Sequence, residues 1–376
     1  MQNRTWMKKR SLTLSRRKGD SRMQRIRRFS HAILVLTGLI CLGGALPGTT
    51  PLLAAAQESD AQRETRVIES AKKEGKLAFW INGWNANELE QLFSKFRQKY
   101  PFITVEYWRA SEDTQLHQKM LSEARAGIQN VDIASSEINL IAELKKAGVV
   151  RKYHWPNTSA WSPQHKDPEG YWVASNINGI VVVYNTNLVA AAEAPKKWDD
   201  LLNPKWKGAI SMDREAAEWV LMLWSAWGKE KALNYLKALA KNNIIFGAGQ
   251  TARLEMLGAG AFKIDLRLNL FRVLQYQKKG APVEWVRTDP VLAKATPMLI
   301  AERAPHPNTA LLFANWFTSL EGQQAFTDVT GRLVPDGRVK GPTAEAVRGQ
   351  KVMVPPPEIA VHGTEAESIW RDLFLK

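Results

Sequence analysis

From position 58 onward, apolar residues follow two alternating rhythms. Leu89, Leu92, Phe93, Phe96 and Tyr100 recur at three- and four-residue steps, one face of a helix that Pro101 ends. Ahead of it, Lys76-Leu77-Ala78-Phe79-Trp80-Ile81 reads as a buried strand, following a helix that ends at Glu74 with Gly75 in the C′ position. Between strand and helix lies a polar loop, Asn82 to Asn87, whose asparagines suit a cap. The same unit returns twice. A strand at 104–108 leads through the loop 109–113 to a helix carrying Leu116, Met120, Leu121 and Ala124. A strand at 131–134 leads through Ser135-Ser136-Glu137 to a helix carrying Ile138, Ile141 and Leu144. Such repeats put every loop at the carboxyl end of a parallel strand, the edge where helix N-termini and free loop amides meet a ligand.

A run of β-formers at 172–184, interrupted at Asn176-Ile177-Asn178-Gly179, reads as a long strand crossing from one lobe to another. Ala209-Ile210-Ser211-Met212 opens a second set of strand–helix units, with helices expected at 215–227, 229–241 and 251–257. Strands at 283–286 and 297–300 are expected to return to the first lobe. Asn308 is expected to cap a helix through Leu311, Leu312, Asn315 and Trp316. Val354-Pro355-Pro356-Pro357 reads as a rigid linker before a last helix at 365–374. The pattern is α/β.

Charge changes the picture only at the start of the chain. The formal net charge of +15 suggests nucleic acid, but residues 1–56 hold eleven Lys and Arg against Asp20 alone, leaving 41 basic and 36 acidic residues elsewhere. The excess belongs to a leader: Arg25, Arg27 and Arg28, an apolar run of 15 residues from Ala32 to Leu46, Pro47, then Ala54 and Ala56 in signal-peptidase spacing. The run is shorter than a membrane span. A cleaved signal peptide ending near Ala56 is expected, with Met23 as its more usual start, a periplasmic mature chain, and no nucleic-acid partner. The one cysteine, Cys41, lies in the leader, so disulfides and thiolate sites are excluded beyond it.

Candidate ligand contacts fall in the loops. Asn82 and Trp84 follow the first strand, Arg109 and Ser111 the second, and Ser135, Ser136 and Glu137 the third. Asp213 and Arg214 hold the equivalent place in the second lobe; Gln250 and Thr251 lie at a helix start; Asp265 and Arg267 follow a strand; Asn176 sits in the crossing segment. Trp84 would offer a stacking surface. Arginine forks and helix-start amides suit carboxylate or phosphate, which points to an organic anion. Each of these residues is equally readable as a cap, a surface pair or core packing. Metallopeptidase, nucleophile-elbow and phosphate-loop motifs are absent, and the histidines lack ligand spacing. No catalytic residue, metal ligand or cofactor is assigned. A carboxylate pair in the cleft would leave room for an exported hydrolase or lyase acting on a small sugar or ester.

An ordered series of segments resembles one family. It comprises 71–76 (AKKEGK), 96–101 (FRQKYP), 131–133 (VDI), Asn178-Gly179 with Tyr184-Asn185-Thr186, 198–208 (WDDLLNPKWKG), 304–308 (APHPN) and 319–323 (SLEGQ). These are similar to bacterial extracellular solute-binding proteins of the ferric-ion-binding type, with the type II periplasmic-binding fold. The resemblance implies two α/β lobes, each a mixed sheet flanked by helices, with crossing strands at a hinge. It implies capture of a small-molecule solute between the lobes, delivery to the membrane permease of an ABC-type importer, and a monomer. The lobes would be 57–175 with a return segment at 286–330, and 176–285, with 331–376 packing on both. Ferric binders place adjacent tyrosines shortly before a Gly-x-Pro-Val segment; before Gly280-Ala281-Pro282-Val283 this chain has Leu270-Phe271. Hard Fe³⁺ wants anionic oxygen, and these two side chains supply none.

Overall fold

Element ends follow local chemistry. The structure, a computed structural model, describes residues 59–375 except Ser136 and Ala248. The expected leader and its cleavage point therefore lie outside the described residues. Helix α1 (Asp60–Glu74) opens on a reciprocal Ser59/Gln62 capping box and closes at Gly75, whose φ of 67° suits glycine. Strand β1 (Lys76–Ile81) follows, then α2 (Ala86–Lys99), capped by Asn85 with Glu88. Next come β2 (Thr104–Arg109), α3 (Asp113–Arg125), β3 (Ile133–Ser135) and α4 (Ile138–Lys146). The long β4 (Val173–Asn185) leads into β5 (Ile210–Asp213), α5 (Ala217–Trp227), α6 (Lys229–Ala240), β6 (Ile245–Gly247) and α7 (Gln250–Gly258). The chain continues through β7 (Ile264–Asn269), α8 (Leu270–Lys278), β8 (Val283–Val286), β9 (Val291–Ile300), α9 (Pro307–Thr318) and α10 (Leu320–Thr330). It ends with α11 (Pro342–Ala346), β10 (Val352–Met353) and α12 (Gly363–Phe374).

One sheet runs through the whole of this region in the order β2-β1-β3-β9-β4-β7-β5-β6. Its first-lobe end (β2, β1, β3) and its second-lobe end (β7, β5, β6) are parallel, as the repeated units require. Antiparallel β9 and β4 join them. Strand β4 runs unbroken through Asn176–Gly179, pairing with β9 from Val173 to Ile180 and with β7 from Ile180 to Tyr184.

Separate cores flank the crossing pair. Leu77, Phe79, Phe93, Phe96, Phe313 and Phe317 centre one core of the first lobe, and Trp80, Leu116 and Ile141 belong to a second. Trp198, Trp219, Leu236 and Trp370 belong to a core of the second lobe, and Leu254, Leu268 and Trp285 to another. Between the lobes only Ala174, Ile177, Ala293 and Ala295 form a small buried cluster.

Two expectations are corrected here. Strand β8 does not return to the first lobe; it pairs with the second-lobe end of β4, Val182 to Asn185, while β9 alone makes the return. Asn308 does not cap its helix. It sits inside α9, and the Glu74 carboxylate at the end of α1 accepts from the backbone amides of Asn308 (3.1 Å) and Thr309 (2.7 Å). Two orphan donors are thereby satisfied from the neighbouring helix. No helix among the described residues is long and apolar enough to cross a membrane.

Candidate ligand cleft

Loops at the carboxyl ends of the parallel strands open on a cavity of about 860 Å³. Asn82 after β1, Ser111 to Thr114 after β2, and Glu137, Ile138 and Leu140 at the start of α4 line its first-lobe side, with Trp172. The second-lobe side carries Arg214, Glu215, Glu218, Leu221 and Met222 from β5–α5, and Arg267 from β7. Lys294 and Ala295 of β9 lie between the two sides. The C-terminal segment supplies another side, from Val354 and the three prolines through Ile359 to Ala366.

A chain of charges crosses the cleft. Lys294 Nζ lies 2.7 Å from a Glu137 oxygen on the first lobe and 3.4 Å from a Glu218 oxygen on the second. Glu218 also pairs with Arg267, which lies 3.8 Å from Asp213. Asp213 in turn accepts from Arg253 at 2.5 Å, and Arg253 Nε donates to Asp265 at 3.0 Å. Both Arg253 and Asp265 are fully buried. Burial lowers the Arg267 guanidinium from its ordinary value, and the charges of Asp213 and Glu137 oppose that. The Arg267 Nε atom is buried without a hydrogen-bond partner.

Asp113 is the perturbed acid of the cleft. Burial and the charge of Glu137 push its carboxyl up to about 6, against the pull of the Asn82 amide and Lys294. Its carboxylate accepts a hydrogen bond from Asn82 Nδ2 at 2.9 Å. Arg214 is exposed, and its guanidinium has no ion-pair partner among the described residues.

The sequence-derived candidates divide. Asn82, Ser111, Glu137, Arg214 and Arg267 come together on the cleft. Trp84 does not: it is 3% exposed and packs against Phe79, Phe317 and Phe326. Arg109 is spent on the Trp84 carbonyl at 2.8 Å, and Ser135 on the Pro297 carbonyl at 3.0 Å. Asn176 is buried and donates to Thr296 Oγ1 within the crossing pair. Gln250 accepts from the Asn269 amide, Thr251 is exposed on α7, and Asp213 and Asp265 hold Arg253 rather than the cleft. Ser136 lies outside the described residues. Reading the sequence missed Asp113, Glu218 and Lys294, although Asp113 lay in the polar loop already singled out.

The Leu270-Phe271 pair, compared above with the tyrosines of ferric binders, is closed off. Leu270 is fully buried, Phe271 is 4% exposed, and the Arg332 guanidinium covers the Phe271 ring at 4.2 Å. No tyrosine lines the cavity among the described residues, and no three His, Cys, Asp or Glu side chains among them group as a metal site.

Residues 91–336, well over half of the chain, match the family described as bacterial extracellular solute-binding proteins. The chain belongs to that family. This solute-binding protein is 21% identical over 290 residues to the Fe(3+)-binding periplasmic protein of Serratia marcescens, covering 74% of this chain and 81% of the relative. Among solved structures it is similar to iron-bound HitA from Pseudomonas aeruginosa, at 19% identity and a TM-score of 0.64, covering 79% of this chain and 99% of that one. AfuA from Actinobacillus pleuropneumoniae, with exogenous fructose-6-phosphate bound, matches at 20% identity and a TM-score of 0.66 over 80% and 99% of the two chains. Identities this low speak for the fold: two lobes of the type II periplasmic-binding kind.

Proposed function

We propose that this solute-binding protein is the periplasmic capture component of an ABC-type importer, closing two lobes on a small solute and delivering it to the permease. One observation carries the reading: the cavity is lined from both lobes and from the crossing strand, so a guest touching all three favours the closed form. The lobes are taken as 57–175 with 286–330, and 176–285. Arg214 and Arg267 on the second-lobe side support an anionic group on the solute. The leader and the names of the relatives support export. Iron carriage in the phenolate manner gains no support from Leu270 and Phe271.

A thermal-shift screen of small metabolites, with Fe³⁺ and sugar phosphates included, tests the proposal. Mass action requires a true ligand at a hundred times its Kd to add about 2.7 kcal/mol. A flat response across the screen at millimolar concentration refutes it.

Asp113 beside Glu137 favours one rival reading, a hydrolase that works with a carboxyl pair, Asp113 being raised by burial and by the charge of Glu137. Recovery of a captured sugar or ester intact after prolonged incubation decides against that reading; product formation decides for it.

A further inference from the structure

Charge accounting around the cleft narrows the solute, given the capture reading above. On the first-lobe side stand Glu112, Asp113 and Glu137, with no basic residue among those lining it. Lys294 satisfies Glu137 but is shared with Glu218, and the hydrogen bond to Asp113 comes from a neutral amide. This side carries negative charge in excess of what the protein neutralises. The second-lobe side is mixed, with Arg214 and Arg267 set among Glu215 and Glu218. Arg267 is 6% exposed, spends its terminal nitrogens on Glu218 and Asp213, and has its Nε–H buried. Arg214 adds a guanidinium with no ion-pair partner among the described residues.

We infer that the cleft selects a zwitterion of the amino-acid or betaine class, its cationic group against Asp113 and Glu137 and its anionic group against Arg214. A simple anion would meet three carboxylates on the facing wall, and a simple amine would leave Arg214 without an acceptor. A molecule carrying both charges satisfies both walls and draws the lobes together, because each half of it prefers a different lobe. Ile138, Leu140, Trp172, Leu221 and Met222 also line the cavity and offer apolar surface for the body of the solute. The perturbed Asp113 agrees: a carboxyl held up to about 6 by burial and a like charge gains most from an incoming cation.

Matched triplets test this on the full mature chain: an amino acid, the amine left by removing its carboxyl, and the acid left by removing its amine. Leucine, phenylalanine and lysine series, with glycine betaine, are screened by thermal shift at pH 7.5 and then by calorimetry, beside neutral sugars, sugar phosphates and Fe³⁺. At least one zwitterion is expected to bind about tenfold or more tightly than both of its singly charged relatives, the discrimination expected of one charge-assisted hydrogen bond. Asp113→Asn, which keeps an oxygen for the Asn82 amide, should then lose that advantage over the acid, and Arg214→Gln its advantage over the amine. The inference is overturned if an acid, an amine or a neutral sugar binds as well as its zwitterionic counterpart, or if no triplet member binds at all. Binding of a sugar, sugar phosphate or Fe³⁺ alone would overturn it while leaving the capture function standing; a flat plate would remove both.

Discussion

Replacing Arg253 by methionine should be the most damaging single change in the second lobe. Its guanidinium is fully buried and bonds Asp213 at 2.5 Å, Asp265 at 3.0 Å and the Arg267 carbonyl at 2.8 Å. Methionine fills the space but strands Asp265, a carboxylate with no exposure, with the Arg267 amide at 3.0 Å among its remaining partners. Removing one member of a buried pair costs about 3–5 kcal/mol, most of it the penalty of the charge left behind. Set against a total stability of about 5–15 kcal/mol, that is a large fraction. Arg253→Met with Asp265→Asn should recover part of the loss, since the unpaired charge is then gone. The sign with pH follows. Burial pushes Asp265 up and Arg253 pulls it down; without Arg253, burial acts unopposed. A carboxyl raised in the folded state stabilises the fold while protonated and costs stability as pH rises, so the defect should be worst at pH 7 and smaller at pH 5. Urea unfolding of the two variants at both pH values measures this. A loss below about 1 kcal/mol at pH 7, or a double variant weaker than the single one, would show that the pair does not matter as argued.

Three further outcomes follow from the geometry. Asp113, raised from 3.8 to about 6, favours the fold below its unfolded value and costs stability as pH climbs through 6. Melting curves of the parent should therefore fall relative to Asp113→Asn by roughly 2 kcal/mol between pH 3.5 and 7. Lys294→Met cuts a side chain that pairs with a carboxylate on each lobe, so small-angle scattering should report a more open unliganded form with a stability loss of about 1 kcal/mol. Gly322→Ala would put a Cβ 2.1 Å from the Trp316 carbonyl oxygen, whereas Gly258→Ala meets nothing within 4 Å. Thermal melts should show a loss above about 2 kcal/mol for the first and no loss for the second.

Local chemistry was legible and long-range choice was not. Capping residues, glycine stops and apolar periodicity fixed α1, β1 and α2 because their causes lie within a few positions. The alternation at 283–286 says strand but is silent about partner, which is why β8 was assigned to the wrong lobe. Trp84 sits in a polar loop, yet Phe317 and Phe326, over 230 positions away, close over its ring. Asp213 ends β5, as expected of a cleft residue, but Asp265 and Arg267 lie within β7 rather than after a strand, Asp265 in register with Ser211. Arg253, on the face of α7 turned toward the two aspartates, claims both. The Pro355–Pro357 segment announces stiffness, but only the packing of α12 through Trp370 on the second lobe brings it to the cleft.

The crossing pair explains why the sheet can be continuous and the cleft still adjustable. Motion that narrows the cleft has to bend β4 and β9, since these two strands alone carry the ladder from lobe to lobe. The pairing of β4 is irregular at two points, between Ala174 and Asn176 against β9 and between Val181 and Val183 against β7. Irregular register concentrates twist and leaves fewer ladder bonds to distort. At the first of these points the side chains are small, so little packing resists the bend: Ala174, Ala293 and Ala295 surround Ile177, while Asn176 and Asn178 both reach Thr296. Lys294, one position from Ala295 and Ala293, ties Glu137 to Glu218 across this thin layer. A solute that offers its own cation to the first-lobe acids competes for that tie, which couples occupancy of the cleft to the angle between the lobes through one side chain.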